Sequence, residues 1–219
     1  MSYILHAQGG DFKMAKRKIN PNAKVEQVNP LTSTREIKAV QKVLLTQGMR
    51  KKDDNFSRIG RRNEMLFTFG IYTGLRVSDI IKLKVKDIEQ SDLSIREQKT
   101  GKATHAHINR ALRSRLDTYL VLMKLTKDDW LFPSTRGNNH VTRFQVYRMI
   151  HDAGLVLGRN DLGSHTMRKT FGRMWVEQGK SLPTLQQIFN HTSQRVTLHY
   201  IGLTQDDINK QIEDFDPLA

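Results

Sequence analysis

The stretch Phe189–Gly202, FNHTSQRVTLHYIG, decides how the rest of the chain is read. Its polar start breaks an apolar run, and a short helix from Ser193 carries Tyr200, nine residues after His191. Immediately upstream, Leu182 to Asn190 has helical spacing, with Pro183 in the first turn, where a missing N–H costs nothing. Another helix runs roughly from Thr166 to Gln178, and Gly179 suits its C-terminal end. Ahead of that, VTRFQVYRMIHDAGLVLG (141–158) is again helical.

Further back, RGNNH reads as a loop, Trp130-Leu131-Phe132-Pro133 as a break, and NRALRSRLDTYLVLMK (109–124) as a helix. LSIREQKT and ATHAHIN alternate with period two around Gly101-Lys102, which predicts an antiparallel hairpin with a short turn. LRVSDIIKLK (75–84) gives a short helix, and NEMLFTFGIYTG (63–74) an apolar one closed by glycine. Arg50 to Arg62 reads as a basic, polar link. A first helix begins near Thr32–Thr34, where Ser33 and Glu36 have capping-box spacing and Ile37, Val40, Val43 and Leu44 recur at helical intervals. The expected fold is mainly α with one small antiparallel β-sheet (α+β). A flexible basic arm over 1–30, one folded domain over 31–203 and an acidic helical tail over 204–219 complete it.

Composition narrows the classes of function. Thirty-six Lys and Arg against 22 acidic residues leave a formal excess of +14, which favours a polyanionic partner such as nucleic acid. There is no cysteine, hence no disulfide framework and no thiolate site. No apolar run approaches the roughly 20 residues of a membrane span, and the start MSYILHAQGGDFK lacks the pattern of a signal peptide. A cytoplasmic, DNA-associated protein with no membrane partner is expected.

Four places carry candidate chemistry. Arg76 follows Thr73-Gly74-Leu75 at a glycine-marked helix junction, and Lys99 stands in QKTGK at the hairpin. His165 and Arg168 are three apart in HTMRK, so a phosphate could meet an imidazole and a guanidinium fork together. The fourth is His191 with Tyr200. Taken singly, each has an ordinary reading: a surface arginine, a turn lysine, a capping histidine, a core tyrosine.

In residue type, order and spacing the set resembles the tyrosine recombinases of the phage integrase family. The resemblance rests on Arg76 in TGLRVSDI, Lys99 in KTG, HTMR at 165–168, and His191 before Tyr200, and it runs from about Asn63 to Ile201. It implies a site-specific DNA recombinase acting by integration, excision or inversion. Tyr200 would attack a DNA phosphate to form a 3′-phosphotyrosyl link, without metal, cofactor or ATP. Arg76 and Arg168 would clamp the nonbridging oxygens, His165 and His191 would donate hydrogen bonds or move protons, and Lys99 would protonate the leaving 5′-oxygen. The implied partner is double-stranded DNA, bound by a homotetramer with accessory DNA-bending proteins, and the tail over 204–219 would dock on a neighbouring protomer.

The chain departs from the family pattern at Asn190, where glycine is usual, although asparagine also tolerates the left-handed turn. Most relatives also carry a helical core-binding domain ahead of the catalytic one, so the chain reads as a short member or a catalytic fragment. Two other readings stay open: a non-catalytic DNA-binding repressor on the same fold, and a type IB topoisomerase.

Overall fold

The computed structural model describes residues 3–8, 11–16, 28–46, 54–96, 101, 103–135, 137–213 and 216, with the backbone alone at 3–16, 54–57, 208, 210 and 211. Its centre is helix α2 (Asp54–Thr73). Met65, Leu66, Phe67 and Phe69 on α2 are buried, and three helices close over them. Helix α1 (Thr34–Thr46) contributes Val40, Val43 and Leu44, and helix α4 (Arg110–Met123) contributes Leu112, Leu116, Tyr119 and Met123. Met167 comes from helix α6 (Thr166–Glu177). Glycine lets these helices approach: a Cβ at Gly60 would lie 2.2 Å from the Leu45 carbonyl oxygen, and one at Gly70 would strike Met167.

That contact explains the main departure from the sequence reading. The basic link expected over Arg50 to Arg62 is helical from Asp54, and Gly60 within it packs closely on the Leu45 carbonyl of α1. Arg62 is 8% exposed and donates to Pro133 O at 3.0 Å and to Asn63 Oδ1 at 2.8 Å. A basic stretch with such partners is compatible with a helix against a core.

Helix α3 (Val77–Ile80) and a 3₁₀ turn (Val85–Ile88) lead to the hairpin of β3 (Asp92–Arg96) and β4 (Ala103–His107), paired antiparallel with Leu93 opposite Ala106. The strands are described up to Arg96 and from Ala103; of the turn expected at Gly101-Lys102 only Gly101, at φ +68°, is among the described residues. Strands β1 (Tyr3–Gln8) and β2 (Asp11–Lys16) form a second antiparallel hairpin within the segment read as a flexible arm.

Helix α5 (Arg143–Val156) starts from a reciprocal cap between Thr142 and Gln145. Helices α7 (Leu182–Phe189), α8 (Gln194–Tyr200) and α9 (Gln205–Glu213) follow α6. Leu185, Phe189 and Ile201 form a second, smaller core with Phe171, Trp175 and Tyr200. Tyr200 therefore stands in a satellite cluster whose one wall is α6, and α6 in turn is held by the main core through Met167.

The chain ahead of α1 is strapped to the start of α6. Asn29 N–H donates to Asp161 O at 2.9 Å, Leu31 N–H to Thr170 Oγ1 at 2.9 Å, and the Thr166 hydroxyl to Asn29 O at 3.1 Å. Arg159 locks the strap from outside, bridging Asp161 and Glu36 at 2.7 Å each and reaching Pro30 O.

Candidate active site

Arg168 organises the site. It projects from the first turn of α6, is 3% exposed, and donates to Gly74 O at 2.5 Å and to Phe189 O at 3.0 Å. Its guanidinium lies 4.2 Å from the centroid of the Phe189 ring. Gly74 takes φ +64°, and a Cβ there would meet the Phe171 ring at 2.6 Å, so the turn requires glycine. Arg76 follows two residues later as the extended residue that opens α3. One buried guanidinium thus ties the end of α7 to the turn that presents Arg76.

Tyr200 closes the arrangement from α8. The Tyr200 hydroxyl is 3.2 Å from His165 Nδ1, and the Arg168 charge acts on the phenol. Tyr200 packs edge-on against Phe189 and His191, with centroids 5.6 and 5.1 Å apart. His165 is the residue just before α6 and continues its backbone conformation, so it stays one turn from Arg168 as the spacing predicts. His191 Nδ1 lies 3.1 Å from Thr197 Oγ1. The Thr197 hydroxyl proton goes to Ser193 O at 3.2 Å, which makes Nδ1 the donor and leaves Nε2 as an acceptor.

Asn190, the departure from glycine, adopts the left-handed conformation at φ 52°, ψ 37° and caps α7. Its side-chain amide donates to Thr104 Oγ1 at 3.0 Å, so it also ties α7 to strand β4. Glycine could supply the turn but not this bond. Lys99 lies outside the described residues, between the two strands of that hairpin.

Burial raises the Tyr200 phenol above its usual range, and Arg168 and Arg76 partly oppose that. At rest the tyrosine is protonated. Burial first, then Arg168 and Arg76, pull the His191 imidazole down to about 4. His165 is lowered by burial first, then by Arg168, Lys169, Arg143 and Arg76. Both histidines are neutral near pH 7, and the His165 bond to Tyr200 can carry a proton in either direction.

Five of the six residues singled out from sequence, Arg76, His165, Arg168, His191 and Tyr200, therefore meet in one place. Two cations that the sequence reading left unassigned face it too. Lys169 Nζ is 5.4 Å from the centroid of the Tyr200 ring, and Arg143, at the start of α5, acts on His165. Lys169 was legible as the neighbour of Arg168 in HTMRK; Arg143 had no local signal. Among the described residues no group of three or more His, Cys, Asp or Glu side chains could hold a metal ion, and no helix is long and apolar enough to cross a membrane.

Comparison with known proteins identifies the family and the fold. Residues 44–206 match the phage integrase family. A probable integrase/recombinase, YoeC of Bacillus subtilis, is 35% identical over 180 residues, covering 82% of this chain and 92% of the relative. The crystal structure of XerA recombinase superposes with a TM-score of 0.67 at 23% identity, over 92% of this chain and 68% of that one. XerH site-specific recombinase, in a post-cleavage complex with a palindromic difH substrate, gives 0.65 at 19% identity, over 93% of this chain and 56% of that one. The chain spans about half the length of staphylococcal XerC recombinases that it also matches. A mainly helical domain with small antiparallel hairpins, a basic and histidine cluster around a helical tyrosine, and these matches lead to one conclusion: the chain belongs to the phage integrase family of tyrosine recombinases, the enzymes of site-specific recombination.

Proposed function

We propose that this protein cleaves and rejoins double-stranded DNA through a covalent 3′-phosphotyrosyl link to Tyr200. The observation that carries the reading is the bond between the Tyr200 hydroxyl and His165, formed beside the buried fork of Arg168.

In this reading a DNA phosphate enters between Arg76 and Arg168, whose fixed charges offset the negative charge that grows on the nonbridging oxygens. A neutral phenol is a weak nucleophile near pH 7. Its proton passes to His165 as the Tyr200 oxygen bonds to phosphorus. The bond from phosphorus to the 5′-oxygen breaks, and that oxygen takes a proton from Lys99. Reversal with a 5′-hydroxyl from another strand reseals the backbone, and because the phosphodiester energy is kept in the tyrosyl link, no ATP is consumed. His191, with Nε2 as an acceptor, is a second proton carrier. Assembly as a tetramer on DNA, with accessory DNA-bending proteins, extends the same reading, which gains support from the XerH recombinase bound to its difH substrate.

The test is suicide cleavage. Purified protein is incubated with nicked duplexes tiled across the chromosomal neighbourhood of its own gene, and SDS-resistant adducts are recovered. Wild type should yield an adduct at a defined sequence, and Tyr200→Phe none. Specific binding without an adduct would overturn the proposal in favour of a non-catalytic DNA-binding protein. Relaxation of one duplex without exchange between two would favour a topoisomerase.

A further inference from the structure

Lys169 follows Arg168 on α6 and is 7% exposed. Lysines so enclosed are rarely left without an acidic partner. Arg173, one turn further along the same helix and 8% exposed, has two: it donates to Glu177 and, through both terminal nitrogens, to Asp207 at 2.6 and 2.8 Å. Among the described residues no carboxylate forms an ion pair with Lys169. Its ammonium instead faces the Tyr200 ring at 5.4 Å, within the range where a cation is drawn to an aromatic face.

The same turn of backbone links Lys169 to His165, since Lys169 N–H donates to His165 O at 3.0 Å. His165 meets the Tyr200 hydroxyl. One phenol is therefore bracketed by two residues of a single helical turn, the ammonium on its ring face and the imidazole at its oxygen.

We propose that Lys169 is a positioning residue for the nucleophile: its charge braces the ring of Tyr200 and repels a proton from His165, leaving that imidazole free to accept the phenol proton. This rests on the reading of Tyr200 as the nucleophile. Among the described residues, the groups facing His165 are Arg168 and Lys169 of α6, Arg143 of α5, Arg76 ahead of α3, and Tyr200 of α8 as hydrogen-bond partner. Every charged member is a cation, so each one removed makes protonation of His165 easier. Burial lowers the Lys169 ammonium from a starting value of 10.5, and it remains the charged form near pH 7.

The experiment is an NMR titration of the whole chain labelled with ¹⁵N-histidine, the His165 signal being assigned by its loss in His165→Gln. In Lys169→Met the His165 midpoint should move to higher pH, and in Lys169→Arg it should stay near the wild-type value. A purely structural role for Lys169 would not move this midpoint. If the methionine variant fails to fold, Lys169→Gln provides the same readout. An unmoved midpoint in the uncharged variant overturns the proposal. Because the titration needs no DNA, it is independent of the adduct assay: a missing wild-type adduct removes the nucleophile reading, whereas an adduct with an unmoved midpoint removes the role of Lys169 alone.

Discussion

At the scale of single residues, Arg168 does two things with one fork. Its nitrogens hold the carbonyls of Gly74 and Phe189, and its charge acts on Tyr200 and both histidines. Lysine has the charge but not the planar fork, and it cannot reach two carbonyls on opposite sides. Arg168→Lys should therefore lower the rate of adduct formation by about 10²-fold or more, as loss of a transition-state donor does. It should also cost about 1–3 kcal/mol in urea unfolding, through a buried carbonyl left unpaired. His191 gives a prediction with a definite sign. Its folded value is about 4 against 6.5 for the free side chain, so between those values the unfolded chain binds a proton that the native one does not. The contribution is full above pH 6.5, falls as pH drops towards 4, and changes no further below that. Unfolding midpoints measured from pH 7 to pH 4 should fall more steeply in wild type than in His191→Gln, by about 2 kcal/mol in total after allowance for partial exposure.

At the scale of elements, the helix that carries Tyr200 is placed by a close approach of α6. A Cβ at Gly172 would lie 2.5 Å from the Ile201 side chain and 2.9 Å from the Phe189 ring. Gly172→Ala should push α8 off α6, costing about 1–3 kcal/mol as overpacking does, and should slow cleavage more than it weakens DNA binding. Comparing the adduct rate with the Kd for the same duplex separates these effects. Much of this architecture could be read from sequence. Pro183, Gly179 and Ser193 mark the ends of α6, α7 and α8 because caps and breakers act locally, and His165, Arg168 and Tyr200 stood out only through the resemblance of the whole ordered set to the family. What escaped depends on contacts distant in sequence. The first half of α2 looked like a linker because the buried partners of Arg62 lie at Pro133, 71 residues away. The role of Asn190 was legible only as a turn; its bond to Thr104 requires strand β4 to be in place. Lys169 drew no assignment beyond its place in HTMRK, since nothing local shows that its ammonium faces the Tyr200 ring.

At the scale of the whole molecule, the excess of +14 is unevenly available. Arg159 is engaged by Glu36 and Asp161, and Arg173 by Glu177 and Asp207, so these two guanidiniums serve as internal ties. The second tie also fixes α9 to α6 within one chain, because Asp207 lies in the first turn of α9 and Arg173 additionally donates to Gly202 O. Arg143, by contrast, is exposed on α5 beside His165. If cations of this second kind bind phosphates, each should release about one counterion, and removing one should flatten the plot of log K against log salt by about one unit. Fluorescence anisotropy on a labelled duplex between 50 and 200 mM salt should thus show a shallower slope for Arg143→Gln with little change in Tm. Arg173→Gln should behave in the opposite way, keeping the wild-type slope while lowering Tm, because the charge it removes is already matched by carboxylates. Equal slopes for wild type and Arg143→Gln would place the phosphate path away from the start of α5, and a flattened slope for Arg173→Gln would mean that DNA competes with Asp207 for that guanidinium.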